Sequence, residues 1–364
     1  MKIVVTGTRG IPRIMGGVET HCEELFPRLA RMGYDITVIR RKWYAQDGLQ
    51  EWNGVHLIDL DTPKKKSFEA IIHTFKAILK ARSLGADIVH IHAIGPALLV
   101  PMARLLGMKV VFTHHGPDYD RDKWGFAAKT MLKLGERLGT CYANEVIVIS
   151  DVIRQILANK YGRNDTHLIY NGMADPSFVD DPEYFEELGI QKRKYILAMC
   201  RFVPEKNLHH LVEAYEELKR QGKAQDIRLV LAGDADFDDD YSKRLKAMAK
   251  THGAVLTGFV KGRKLHSLLS GARCFVLPSS HEGLPISLLE AMGYRLPAVV
   301  SDIPANLEVG LPQECYFHLG DIKELAQRLE DHIRSDFQPI DYDMSKYNWD
   351  HIAAQVAQVY NRIP

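Results

Sequence analysis

Lys2-Ile3-Val4-Val5-Thr6, running into Gly7-Thr8-Arg9-Gly10-Ile11-Pro12-Arg13-Ile14-Met15-Gly16-Gly17, opens the chain. An apolar run without polar alternation stops at a glycine-rich loop. A helix follows, with Val18, Cys22, Leu25, Phe26 and Leu29 at helical spacing and Gly33 as a stop signal. Strand, loop and helix in that order make the repeating unit of a parallel sheet covered on both faces. Further strands are expected near Asp35–Arg40, Val55–Leu60, Asp87–His92, Lys109–Thr113 and Glu145–Ile149. The pattern restarts at Tyr195–Met199, Ile227–Ala232, Val255–Thr257, Arg273–Leu277 and Ala298–Val300. The expected fold class is therefore α/β, with two Rossmann-like, doubly wound parallel sheets. The turn-rich stretch Asn171-Gly172-Met173-Ala174-Asp175-Pro176 marks the join, giving domains 1–172 and 173–346. A last helix over Trp349–Tyr360 can pack on either.

The 364 residues suit two ordinary domains, and 46% hydrophobic with 26% charged is a globular composition. Five scattered cysteines without C-x-x-C spacing fit a reducing cytoplasm. The opening strand is too short for a secretory apolar region, and Ala93–Phe112 carries Arg104 and Lys109, which argues against a membrane span. Net charge is +1, but residues 1–150 hold 21 Lys and Arg against 15 Asp and Glu. A basic first half fits an anionic partner or ordinary surface scatter. Balanced charge and the absence of a recognition motif exclude nucleic acid as the expected partner.

Ligands of open parallel sheets sit at strand-end loops. Gly16-Gly17, at the start of the first helix, would let backbone N–H groups approach a phosphate. The loop lacks G-x-G-x-x-G spacing, and the second strand ends in Arg40-Arg41 instead of a ribose-binding acid. A dinucleotide site would then need arginine to meet a phosphorylated ribose. Thr113-His114-His115-Gly116-Pro117-Asp118 places histidines at a strand end. These are either site residues or structural histidines; no further cluster in sequence supports a metal there. In the second half Arg201 and Lys206 flank a helix start, where cations are out of place unless a diphosphate sits between them or acids such as Glu205 pair with them. His281-Glu282-Gly283-Leu284-Pro285-Ile286-Ser287-Leu288-Leu289-Glu290 sets two carboxylates about 8–12 Å apart along a helix that opens at Pro285. That span suits a sugar–diphosphate–nucleoside, although two solvated acids on a surface helix give the same string.

Together these residues resemble the retaining, GT-B-fold glycosyltransferases of family 4, the group 1 domain. The resemblance is carried by Arg201 to Lys206, Gly233-Asp234, Gly258-Phe259-Val260, Glu282 to Glu290, Gly16-Gly17 and Thr113-x-His115-Gly116. The run from His115 to Tyr119, with Lys123-Trp124, is similar to a branch that builds bacterial surface polysaccharides. The resemblance implies two domains facing across a cleft, with the helix of residues 347–364 returning to the first. It implies a nucleotide-diphosphate sugar as co-substrate, no cofactor and no metal. It places Arg201, Lys206, Gly16 and Gly17 on the donor diphosphate and Glu290 on the ribose. Phe259 and Val260 would lie near the base, and Glu282, Gly283, Leu284 and Pro285 on the sugar. His115 and Glu282 are the implied catalytic residues. Asp236, Asp238, Asp239 and Asp240 imitate a D-x-D metal motif but read as a solvated loop. The implied acceptor is a hydroxyl of a glycan or polyprenyl-linked molecule. A nucleotide-sugar epimerase and a non-catalytic nucleotide-sugar binder are the alternatives.

Lys129, Lys133 and Arg137 recur beside Trp124, Phe126, Met131 and Leu132, and Lys64-Lys65-Lys66 precedes Phe68. Either a basic amphipathic helix touches anionic lipid at the inner face of the membrane, or an ordinary helix has one core and one solvated face.

Overall fold

The computed structural model describes residues 1–63, 69–121, 125–236 and 239–363. They form two compact units, Met1–Gly172 with Tyr347–Pro364, and Met173–Lys346.

The first unit holds strands β1 (Lys2–Thr6), β2 (Asp35–Arg41), β3 (Glu51–Trp52), β4 (Val55–Leu60), β5 (Ile88–His92), β6 (Lys109–His114), β7 (Glu145–Val148) and β8 (His167–Leu168). Their order is β3-β4-β2-β1-β5-β6-β7-β8. Only β3, which pairs Glu51 with His56 and Trp52 with Val55, runs antiparallel to its neighbour. Every residue of β5 is buried, as two covered faces require. The second unit holds β9 (Tyr195–Met199), β10 (Arg228–Ala232), β11 (Val255–Gly258), β12 (Cys274–Leu277), β13 (Ala298–Ser301) and β14 (Tyr316–Phe317). All are parallel, in the order β11-β10-β9-β12-β13-β14.

Both sheets reverse direction beside their first strand. The switch points lie between β1 and β5 and between β9 and β12. There the loops after the strands leave on opposite faces and open a crevice at the strand ends. In the second unit the two loops so placed are those that carry Arg201 to Lys206 and His281 to Pro285. The expected strands recur within one or two residues. β3, β8 and β14 were not foreseen, because two residues leave no readable period.

The last helix, Trp349–Asn361, packs on the helix Gly17–Arg31 of the first unit. Arg28 Nε donates to Asp350 at 2.8 Å, and Tyr34 Oη donates to the Ala357 carbonyl at 3.3 Å. Tyr360 is wholly buried and shares a 2.6 Å hydrogen bond with His90 Nδ1 in the middle of β5.

Candidate functional site

In the second unit, β9 delivers the chain to Arg201. Phe202 is buried and its N–H donates to the Asp234 carbonyl at 2.9 Å, which turns the loop inward. Pro204–Lys206 form a short 3-10 turn, and Asn207 adopts a left-handed conformation (φ 47°) before the helix Leu208–Arg220. The loops after β9 and β12 are stapled together. Asn207 Nδ2 donates to the Pro278 carbonyl at 3.1 Å, and the Ser280 N–H donates to the Glu205 carbonyl at 2.9 Å. From the other side, Ser301 Oγ donates to the Ser279 carbonyl at 2.5 Å. Gly233 (φ 131°) lets the loop after β10 close in: a Cβ there would lie 2.0 Å from the Cys200 carbonyl oxygen.

The two predicted cations are brought onto one strand end, and each meets an acid. Arg201 Nη1 lies 3.1 Å from Asp236 Oδ2, and Lys206 Nζ donates to Glu282 Oε1. Both acids come from neighbouring loops, Asp236 from the loop after β10 and Glu282 from the loop after β12. Lys206 and Glu282 are both mostly buried, at 16% and 9% side-chain exposure, so little water screens the pair. Leu284, Ile286, Leu288 and Leu289 are buried and anchor the start of the next helix. Pro285 is the N-cap, extended at ψ 107°, and the helix Ile286–Gly293 begins one residue later than expected. Glu290 is the fifth residue of that helix and partly buried. Phe259 is 44% exposed, with Lys261 Nζ 5.8 Å from its ring centre, and Val260 is partly buried beside it.

The acidic run is not a simple solvated loop. Asp236 holds Arg201, Asp234 pairs with Lys246 at 2.7 Å, and Asp239 caps the helix Asp240–Thr251 by accepting from the Ser242 N–H at 2.9 Å. Asp238 lies outside the described residues.

In the first unit Gly16 (φ 148°) caps the helix Gly17–Arg31. A Cβ on Gly16 would meet Glu19 Oε2 at 2.1 Å, whereas Gly17 faces open space. Buried Glu19 accepts from the Arg9 N–H at 3.0 Å and from Thr8 Oγ1 at 3.2 Å, so a carboxylate already occupies part of the loop's hydrogen-bonding capacity. The phosphorylated-ribose alternative is overturned at Arg40, which is wholly buried. All five of its N–H bonds have acceptors: Asp59 twice, Asp47, and the Ile11 and Leu49 carbonyls.

His115 is partly buried, and its Nε2 shares a 2.9 Å hydrogen bond with Nδ1 of His92. His21 packs edge-on at 4.8 Å between ring centres and is bonded through Nδ1 to Asn171 Oδ1 at 2.9 Å. No histidine cluster is visible in the local sequence here; the structure makes one, with ring nitrogens of His21, His92 and His115 within 4.8 Å of one another. The donors suit a transition-metal ion chemically. His92 and His115, however, direct ring nitrogens at each other. Burial, aided by neighbouring imidazoles, holds His92 and His115 well below the usual histidine range, and burial holds His21 at about 4. All three are neutral at pH 7. His114 is structural, as one reading allowed: its Nδ1 accepts from the Gly116 backbone N–H at 3.1 Å, and its Nε2 meets the buried Glu136 carboxylate at 2.9 Å. His21, His92, Asn171 and Glu136 were missed. They are 22 to 150 residues from the partners just named, and only the strand order unites them.

A model of glycosyl transferases group 1 matches residues 180–351, and a model of glycosyltransferase family 4 matches residues 15–175. The chain belongs to the group 1 glycosyltransferases of family 4. It is 25% identical to an uncharacterized glycosyltransferase of Methanocaldococcus jannaschii, over 99% of this chain and 98% of that one. It is 26% identical to a UDP-Gal:α-D-GlcNAc-diphosphoundecaprenol α-1,3-galactosyltransferase of Escherichia coli, over 84% and 81% of the two chains. Among solved structures, a sucrose-phosphate synthase from Thermosynechococcus elongatus superposes with a TM-score of 0.83 at 19% identity, covering 100% of this chain and 98% of that one. The fold of this family 4 member is thus GT-B, and the protein is a transferase.

Proposed function

We propose that this transferase moves a sugar, with retention of configuration, from a nucleotide-diphosphate sugar to a hydroxyl of a glycan or lipid-linked acceptor, without a divalent ion. The observation that carries this reading is the Lys206–Glu282 pair beside Arg201 at the switch point of the second sheet. Breaking the bond from the anomeric carbon to the phosphate oxygen leaves the electron pair on the diphosphate. Fixed cations meet that charge without reorganising. Lys206 has three N–H bonds and Arg201 five, so each can keep its carboxylate and still donate to phosphate. Glu282, held by Lys206, faces the positive charge that develops on the sugar, and Glu290 takes the ribose hydroxyls. Neutral His115 serves as a hydrogen-bonding group. The acceptor oxygen bonds the anomeric carbon on the leaving-group face, and its proton passes to the departing phosphate oxygen. The galactosyltransferase relative, whose name gives a UDP-sugar and a diphosphoundecaprenol acceptor, supports both substrate classes.

A thermal-shift panel of nucleotide sugars will show one donor raising the melting temperature by mass action. Arg201→Ala should weaken nucleoside-diphosphate binding about 10- to 100-fold, the worth of a charged hydrogen bond, and leave nucleoside binding unchanged. Equal losses for both ligands refute the assignment. Activity should survive a chelator; loss with EDTA and recovery with manganese would refute metal independence. Conversion of a nucleotide sugar without acceptor would mark an epimerase, and binding without turnover a binder.

We also place the enzyme in the cytoplasm, on the inner face of the membrane. No helix among the described residues is long and apolar enough to cross a bilayer. The outer face of the helix Phe126–Tyr142 carries Phe126, 88% exposed, with exposed Leu134, Lys133 and Arg137. Leu132 is buried and Met131 partly so, which corrects the expected apolar face. Trp124 and Lys64-Lys65-Lys66 lie outside the described residues. Anionic vesicles should co-sediment the protein and neutral ones should not, and Lys133→Glu with Arg137→Glu should release it. Binding indifferent to both changes would remove the membrane contact.

A further inference from the structure

The loop His115-Gly116-Pro117-Asp118 leaves β6 and ends in a short 3-10 turn, Asp118–Asp120. Both ends converge on one carboxylate. Before the loop, His114 Nε2 meets Glu136 Oε1 at 2.9 Å; after it, Tyr119 Oη donates to Glu136 Oε1 and Oε2 at 3.0 and 3.2 Å. The tautomer of His114 is fixed by its partners. A carboxylate only accepts, so Nε2 carries the proton. The Gly116 N–H only donates, and Nδ1 accepts it at 3.1 Å. Glu136 thus reaches the backbone next to His115 through a single imidazole.

Glu136 itself is fully buried on the helix Phe126–Tyr142. Tyr161 Oη donates to its Oε2 at 2.7 Å, and Lys160 Nζ donates to Tyr119 Oη at 2.6 Å. Burial alone would raise its pKa, but the bonds from His114 and Tyr161 and the charge of Lys160 outweigh burial and hold it below the carboxylate range. A wholly buried, ionised acid with donors from three segments is costly to place unless every bond is made. Here those bonds lock the loop at both ends.

We propose that Glu136 is a positioning residue for transfer: by clamping His114 and Tyr119 it fixes the His115–Asp118 loop and so the direction in which His115 meets the reacting sugar. This rests on the role proposed above for His115. Misplacement of a reacting group by about 1 Å costs about 100-fold in rate, so a loosened clamp acts on turnover.

Three variants of the full chain separate positioning from bulk stability. Glu136→Gln keeps the shape but loses the charge and one acceptor oxygen. Tyr119→Phe removes the far end of the clamp. Tyr161→Phe removes a bond to the same carboxylate without touching either end of the loop. Expected are falls in kcat of about 10- to 100-fold for Glu136→Gln and Tyr119→Phe, with the dissociation constant for a nucleoside diphosphate unchanged. Tyr161→Phe should keep kcat within about twofold, whatever it does to the melting temperature. Hydrogen exchange at the Gly116 amide reads the clamp without any activity: it should accelerate in Glu136→Gln and not in Tyr161→Phe. That arm decides even if the wild-type chain transfers no sugar, which would count against the function proposed above and not against the clamp. An unchanged kcat in Glu136→Gln, or equal kcat losses in Tyr161→Phe and Tyr119→Phe, overturns the proposal.

Discussion

Lys206→Ala should lower kcat/KM for sugar transfer by about 10²–10³, the loss typical of removing one preorganised donor at a developing anion. At 1.36 kcal/mol per decade this is about 3–4 kcal/mol of transition-state stabilisation. Two effects add. The leaving diphosphate loses a point charge at a site set by the 3-10 turn Pro204–Lys206. Glu282, at 9% exposure, also loses the partner that orients it. An unpaired, mostly buried carboxylate is destabilising in its own right, so melting temperature and rate must be measured together. Lys206→Ala with Glu282→Ala should recover much of the stability, because no orphaned charge remains, yet recover none of the activity. If the double variant regained transfer, the pair would be a structural ion pair and nothing more.

Acidification should unfold the first unit. Burial lowers the pKa of His21 to about 4 and those of His73 and His90 to about 3. In the unfolded chain each titrates near 6.5. A lowered folded-state pKa means that the unfolded state binds more protons below 6.5. Stability is therefore full above about pH 7 and falls as pH drops through 6.5 towards the folded values. At pH 5 each of these imidazoles costs about 2 kcal/mol, or about 6 kcal/mol for the three. Against a usual total of about 5–15 kcal/mol, that is a large share. Calorimetry between pH 7.5 and 4.5 should show the melting temperature drop steeply below pH 6.5. A flat profile over that range would mean that these rings are not held neutral by the fold.

Much of the architecture was legible because parallel strands announce themselves. Ile3-Val4-Val5 and Ile196-Leu197 have no polar face, and Gly7, Gly233, Gly258 and Pro278 end four of the runs. The donor half was legible for a different reason. Arg201, Lys206, Glu282 and Glu290 lie within two short segments at helix starts, where local charge is conspicuous. Their pairing was not, since Asp236 and Glu282 reach the cations only once β10 and β12 flank β9. The histidines of the first unit were opaque. His21 sits on a helix, His92 ends β5, His115 follows β6, and Asn171 is 150 residues from the ring it orients. Nothing in local period distinguishes such a ring from any other core histidine. Arg40 misled for the same reason: a cation at a strand end looks available until Asp47 and Asp59 fold over it.

The helix Trp349–Asn361 has a temporal consequence. Its Tyr360 fills the middle of the first sheet beside His90, and Trp349 covers Gly172. During synthesis those side chains emerge only after all of residues 173–346. The lobe that begins translation first must therefore wait, with its interior partly open, while the later one acquires everything it needs from one continuous segment. The lobe translated first is thus the last to have its whole sequence available.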